Sequence, residues 1–405
     1  TSLLLGYEDG SIYKVDVNGT TSYKNTLQEA IDMCTTNSST TPDKITLIQD
    51  IVAVENEKGV ISENQNIIFD LNGNTITGKT MGTMFENGGM LEIKDSSGDG
   101  QIVGLFNKII DNKGTLVLSG GNIKLDPPTE TIDAHYIIDN SGELTIAGAN
   151  IELIKKADRN GTNGAINSVA GTAVNFNSGN IIFNNAKQLL AVPNVVKISG
   201  TSELKTEVTI KDEFKFSGSG TCIECTQTQI TVEGDSFENT NTTALIPIII
   251  SDSDMIIKEG AVIDGDNINP IQYYGTCKVD INSNAKLSGL VEYINTRNPY
   301  AVAAKDVELT INEAELGKIE FYGSKATINN ATVSDKATFS NKLTTAGIAN
   351  TTSDITITGG TFGSLVINYN AIAKVNGVNV TTGGMSVESG ADVTLLNSTI
   401  INQNG

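Results

Sequence analysis

The 405-residue chain has no tryptophan, one histidine (His135), two arginines (Arg159 and Arg297) and four cysteines. Each scarcity removes a class of function. With no Trp and aromatics at 5% of residues, a strong sugar-stacking platform is not expected. One His and the scattered Cys34, Cys222, Cys225 and Cys277 do not make a zinc ligand set. Cys222-Ile223-Glu224-Cys225 has redox-type spacing, but it lies in a strand-like stretch where the two sulfurs would face opposite ways, so all four cysteines read as buried or half-buried structural thiols. Asp and Glu number 47 against 27 Lys and Arg, a net charge of −20 that repels phosphate backbones and anionic lipid surfaces, so neither nucleic acid nor membrane is an expected partner. No apolar run approaches the roughly 18 residues of a membrane-spanning helix. The opening residues carry no charged and apolar leader, as in a mature or trimmed secreted chain.

What the chain does have is Thr, Asn, Ser and Ile, a composition that suits β-structure with tight corners. From Asn66 onward a short pattern recurs: alternating apolar residues, a small or polar corner, then another apolar position. Gly114-Thr115-Leu116-Val117-Leu118-Ser119-Gly120-Gly121-Asn122-Ile123 and Asp354-Ile355-Thr356-Ile357-Thr358-Gly359-Gly360-Thr361-Phe362 are examples. The closing apolar residues fall at Ile76, Ile102, Ile123, Ile151, Ile181, Leu204, Phe237, Val262, Leu287, Leu316, Val333, Phe362, Val380 and Ile400, at intervals of 17 to 33 residues. Intervals this variable exclude a hexapeptide helix or a leucine-rich repeat and predict a solenoid of stacked strands with loops of free length.

One helix is expected. Thr26 and Glu29 form a capping box, and Leu27, Ala30, Ile31 and Cys34 then share a face. Placed before a long β-array, such a helix would act as a lid on the first coil. No linker composition interrupts the pattern, so one continuous domain is expected. Residues 1–60 would supply an opening strand near Ser11 to Val17, the capping helix and the first coil, and residues 61–405 the repeats.

Three segments in succession carry a resemblance: Thr26-Leu27-Gln28-Glu29-Ala30-Ile31, then Ile45-Thr46-Leu47-Ile48-Gln49-Asp50-Ile51, then Asp70-Leu71-Asn72-Gly73-Asn74-Thr75-Ile76-Thr77-Gly78. Together they resemble the entry segment of pectate-lyase-like right-handed β-helices, especially the adhesive domains of surface proteins from low-GC Gram-positive bacteria. The likeness covers about the first 80 residues, and beyond them it rests on the generic repeat. It implies an all-β, right-handed, single-stranded parallel β-helix with a short N-terminal capping helix. It further implies a secreted or cell-surface module of a larger protein, monomeric and non-catalytic, that adheres to an extracellular glycan or a host or matrix protein, or acts as a spacer.

The alternative on the same fold is a carbohydrate-active enzyme. A polysaccharide lyase needs Arg or Lys as base beside carboxylates holding Ca²⁺. Arg159 with Lys155, Lys156 and Asp158 is the only such cluster in the sequence, and it reads as a solvated loop. The polygalacturonase-like branch depends on an adjacent Asp pair, Gly-His-Gly and Arg-x-Lys; this chain has no Asp-Asp, and its His stands in Ala134-His135-Tyr136. No cofactor is expected. Surface Ca²⁺ at Asp95 to Gly100, Asp252 to Asp254 or Asp264 to Asn267 has no motif behind it, and these segments read as polar turns. Candidate ligand-binding residues are Tyr273, Tyr274, Tyr300 and Tyr322, with Tyr293 nearby; they could gather on one lateral face or pack under loops. Recognition loops would sit at the longest departures from the pattern, residues 127–140, 155–164, 212–219, 266–275 and 292–304. A purely structural stalk is the third reading. Convergent carboxylates on the longest lateral sheet would favour the enzyme; Thr, Ser, Asn and Lys there would favour the adhesin.

Overall fold

A computed structural model describes residues 10–35, 41–53, 57–79, 82–104, 108–125, 136–155, 164–169, 173–185, 194–218, 221–235, 237–239, 246–264, 271–293, 307–340, 352–388 and 390–401. Their architecture is predominantly β, solenoid-like, with large parallel sheets. The chain divides into two compact units, residues 1–198 with 214–218, and residues 199–213 with 219–405.

The first unit opens with an antiparallel hairpin, Tyr13–Val17 against Thr20–Lys24, whose turn residues Asn18 and Gly19 have φ of 49° and 78°. Positive φ at both central residues is the type I′ geometry that matches strand twist. Tyr13–Val17 also pairs antiparallel with Asp43–Leu47, and the strand pairs recorded downstream in this unit are all parallel.

The helix spans Leu27–Asp32 and stops two residues before Cys34, the last residue of its expected apolar face, and both bonds of the Thr26/Glu29 capping box are made. Its buried face is the expected one, Leu27, Ala30 and Ile31, with Cys34 buried just beyond. That face lies on Gly59, where a Cβ would fall 2.5 Å from Ile31 Cδ1. Glu57 Oε1 accepts from both the Leu27 amide and the Tyr13 hydroxyl, each at 2.9 Å. Gln65 donates to the Ile31 carbonyl at 2.9 Å, so helix and following coil are tied by polar as well as apolar contacts.

Parallel pairing stacks like residues. Ile45, Phe69, Ile93, Leu118, Ile146 and Phe176 form one buried column. Ile76, Ile102, Ile123, Ile151 and Ile181 form a second, and these are the closing positions named from sequence. A third runs along a separate sheet through Phe85, Ile110, Ile138 and Ile166. Fully burying each of these side chains is worth about 1.5–3 kcal/mol, so the columns dominate cohesion. Phe176, Phe214 and Phe216 close the set with ring centroids 4.9 to 5.3 Å apart.

Two amide ladders join the coils of this unit. The buried one links Asn87 Nδ2 to Asn112 Oδ1 at 2.7 Å, Asn112 Nδ2 to Asn140 Oδ1 at 2.6 Å and Asn140 Nδ2 to Ser168 Oγ at 3.0 Å. The other, half-buried, links Asn150 Nδ2 to Asn122 Oδ1 at 3.0 Å and Asn180 Nδ2 to Asn150 Oδ1 at 2.8 Å. Asn stacks in this way because its side chain offers donors and an acceptor that meet at the repeat distance of neighbouring strands.

In the second unit one column is Ile263, Leu287, Leu316, Val333, Phe362, Val380 and Ile400, of which all but Ile263 were marked from sequence; the mark at Val262 falls one residue early, on a half-buried position paired with Lys286. The marks at Leu204 and Phe237 miss as well. Leu204 is 63% exposed in a turn, and Asp235, not Phe237, bridges to Val262. Here the corners follow one device, an Asx side chain of one coil placed under a glycine of the next. Asn330 (φ 49°) lies below Gly359 (φ 67°), where a Cβ would come within 2.0 Å of Asn330 Oδ1; Asp252 below Gly275 repeats the arrangement, with Asp252 Oδ1 accepting the Thr276 amide at 2.9 Å.

Candidate functional site

Of the tyrosines named above, Tyr300 lies outside the described residues. The strand Ile271–Tyr274 pairs position 273 with Ile250 and Tyr293, and position 274 with Ser251. Tyr322 stands half-buried just past the strand Glu315–Phe321. Arg159, Arg297, His135, Lys156, Asp158 and Asp266 also lie outside the described residues.

The oxygen-rich turns are occupied by backbone. Asp95 accepts from the amides of Gly73 at 2.7 Å and Gly100 at 2.6 Å, and Asp70 from those of Asn72 at 3.0 Å and Ser96 at 2.9 Å, with Lys44 Nζ 2.8 Å from its other oxygen. Burial alone would raise the Asp70 pKa, but Lys44 and the amide donors outweigh it and hold the carboxyl below its ordinary range. Asp254 pairs with Lys205 at 2.7 Å. Among the described residues no group of three or more His, Cys, Asp or Glu is placed to hold a metal ion, and no helix is long and apolar enough to cross a membrane.

One concentration of outward polar chemistry among the described residues was not singled out from sequence. It occupies the separate sheet of the first unit, on strands Thr83–Asn87, Lys108–Asn112, Tyr136–Asn140 and Gly164–Val169. In each strand two consecutive apolar residues are buried, the next residue is half-buried, and the one after it is buried. Glu86, Asp111, Asp139 and Asn167 therefore form a column on one face, in direct register. Beside it runs a second column of Thr83, Lys108 and Tyr136. The signal was present as a repeated segment: Met84-Phe85-Glu86-Asn87, Ile109-Ile110-Asp111-Asn112, Ile137-Ile138-Asp139-Asn140 and Ala165-Ile166-Asn167-Ser168. It hides because attention to the apolar pair passes over the acid between it and the buried Asn.

Neighbouring strands lie about 4.8 Å apart, so these carboxylates step along the face at roughly that interval. Such a spacing falls near what two-carboxylate glycoside chemistry uses. Their partners point elsewhere. Lys58 pairs with Glu86 and Lys108 with Asp139; Lys113 stands 4.0 Å from Asp111; Asn167 Nδ2 donates to Asp139 Oδ1 at 2.8 Å. For Lys108, burial would lower the pKa, but the Asp139 hydrogen bond and the charges of Asp139, Asp111 and Glu86 raise it above the ordinary lysine value. An ammonium held this firmly has no lone pair for abstracting a proton.

The four cysteines are buried and none is in a disulfide. Burial pushes the Cys222 and Cys225 thiols up to about 12, the range of inert structural thiols. Comparison with protein-family models, with curated proteins and with solved structures returns no match.

Proposed function

We propose that the chain is a non-catalytic adhesive or spacer module of a bacterial surface protein, built as a pectate-lyase-like right-handed parallel β-helix whose first coil is covered by the helix Leu27–Asp32. The observation that carries this reading is the paired face: Glu86, Asp111 and Asp139 are each matched by a lysine, and Lys108 is kept protonated among them. A face of matched ions with Thr83, Tyr136 and Asn167 offers hydrogen bonds and modest apolar contact to a glycan or a protein without a free base or a metal seat. Binding through such a face would be salt-sensitive, since half-exposed ion pairs are screened.

The test pairs an array with a cleavage assay. The full chain, labelled, is applied to glycans and extracellular-matrix proteins, and separately incubated with polygalacturonate and host glycans. Saturable binding with no release of unsaturated or reducing ends supports the adhesive reading, whereas absence of any saturable binding supports a plain stalk. One observation favours a second reading: three carboxylates at one-coil intervals could serve an acid–base pair in a carbohydrate-active enzyme. Product release that D111N or D139N abolishes would establish the enzyme and end the adhesive proposal.

A further inference from the structure

Four Asn-Gly dipeptides fall wholly within the described residues: Asn18-Gly19, Asn72-Gly73, Asn87-Gly88 and Asn376-Gly377. The sequence makes them equal candidates for spontaneous deamidation, because glycine leaves its own amide nitrogen open to approach the asparagine side chain. The fold separates them.

In three of the four, both reacting groups are engaged. The Gly73 amide donates to Asp95 Oδ1 at 2.7 Å, while Asn72 Nδ2 donates to the Leu47 carbonyl at 3.3 Å. The Gly88 amide donates to the Ile61 carbonyl at 2.8 Å, and Asn87 is 1% exposed in the buried ladder, its Nδ2 bound to Asn112 and to the Thr115 carbonyl. The Gly377 amide donates to the Leu396 carbonyl at 3.0 Å, and Asn376 Oδ1 accepts from Asn397 at 3.2 Å. Asn18-Gly19 differs on every count. Both residues are exposed at the hairpin tip, neither the Gly19 amide nor the Asn18 side chain has a partner, and no heavy atom lies within 4 Å of where a Gly19 Cβ would stand.

We propose that Asn18 is a built-in modification site, the position of these four at which the folded chain converts to aspartate and isoaspartate. The Gly19 amide nitrogen loses its proton and attacks Asn18 Cγ. The new N–C bond closes a five-membered succinimide as the side-chain nitrogen leaves as ammonia. Water then opens the ring at one carbonyl or the other, returning the normal main chain with aspartate or routing it through the side chain as isoaspartate. Either product adds a carboxylate close to Asp16, which already holds Lys14 at 2.9 Å. Isoaspartate also lengthens by one carbon a turn whose two residues set the Val17 to Thr20 register, so the hairpin loosens where it joins Asp43–Leu47.

The experiment ages the full chain in warm, mildly alkaline buffer, folded in one arm and unfolded in concentrated urea in the other. Peptide mapping by mass spectrometry follows all four sites, and enzymatic methylation of isoaspartate identifies the rearranged product. In the folded arm Asn18 is expected to convert about tenfold or more faster than Asn72, Asn87 and Asn376, the factor that about 1.4 kcal/mol of local opening corresponds to. In urea the four rates should converge. Similar folded rates at Asn18 and Asn376 would overturn the proposal. So would a lead for Asn18 that persists unchanged in urea, since local sequence and not the fold would then be selecting it.

Discussion

Replacing Asn112 by Ala tests whether the buried ladder holds neighbouring coils together. Asn112 is fully buried; its Nδ2 donates to Asn140 Oδ1 at 2.6 Å and to the Glu143 carbonyl at 2.9 Å, and its Oδ1 accepts from Asn87 at 2.7 Å. Truncation strands one acceptor, Asn140 Oδ1, since the Glu143 carbonyl keeps its place in the parallel ladder between Thr115–Leu118 and Glu143–Lys155. Asn87 retains a bond to the Thr115 carbonyl at 3.0 Å and is not fully orphaned. At about 1–3 kcal/mol for the stranded buried group, plus the lost hydrogen bonds and volume, N112A should cost about 2–4 kcal/mol. N150A in the half-buried ladder removes the same chemistry where water can replace it, and should cost about 1 kcal/mol. Stacked-repeat arrays need not unfold in one step, so the readout is native-state hydrogen exchange on peptides covering Lys108–Asn112, Tyr136–Asn140 and Asn122–Leu125. Equal loss of protection in the two variants would refute the argument that burial, not hydrogen bonding as such, sets the value of the ladder.

Three further outcomes follow from the structure. G359A combines a φ of 67° with a Cβ position 2.0 Å from Asn330 Oδ1; a cost of about 2–3 kcal/mol is expected in urea unfolding, part of it recovered by adding N330A. Glu57→Ala removes the acceptor shared by the Leu27 amide and the Tyr13 hydroxyl and should expose the helix to exchange, at about 1–2 kcal/mol, leaving the strands 278–376 unaffected. The buried thiols make stability fall at high pH. Cys34, Cys222 and Cys225 hold their protons in the folded chain up to about 12, whereas in the unfolded chain they lose them near 9.0. Their contribution is therefore complete below about 9 and is lost between 9 and 12, by up to about 1.4 kcal/mol per pH unit for each thiol. Urea midpoints that stay level across that window would contradict the assignment.

The architecture was legible where apolar side chains repeat. Ile76 to Ile181 in the first unit and Leu287 to Val380 in the second are true columns because an inward position tolerates only apolar residues, whatever the loop length between coils. The helix was legible because a capping box is local chemistry. Leu204 failed as a marker because a turn closed by Thr201 and Leu204 precedes the strand Thr206–Gly218, and spacing alone does not distinguish an exposed leucine from an inward one. The Glu86–Asp111–Asp139 column was not legible. Outward residues obey no apolar rule, and whether acids 25 and 28 residues apart meet depends on registers that only the folded chain displays. Function stays the least legible level, since the paired face is defined by lysines such as Lys58 and Lys108 that the sequence does not mark as belonging together.

The two amide ladders of the first unit run in opposite senses. From Asn87 through Asn112 to Asn140 each Nδ2 donates toward the C-terminal coil, whereas Asn180 and Asn150 donate toward the N-terminal one. Aligned amides in an α-helix sum to a macrodipole with charge-like ends. Two ladders of opposing polarity largely cancel, so adding a coil extends both without building up an electrostatic end effect. An array wired in this way can change its number of repeats by duplication or deletion and leave the electrostatics of its ends almost unchanged.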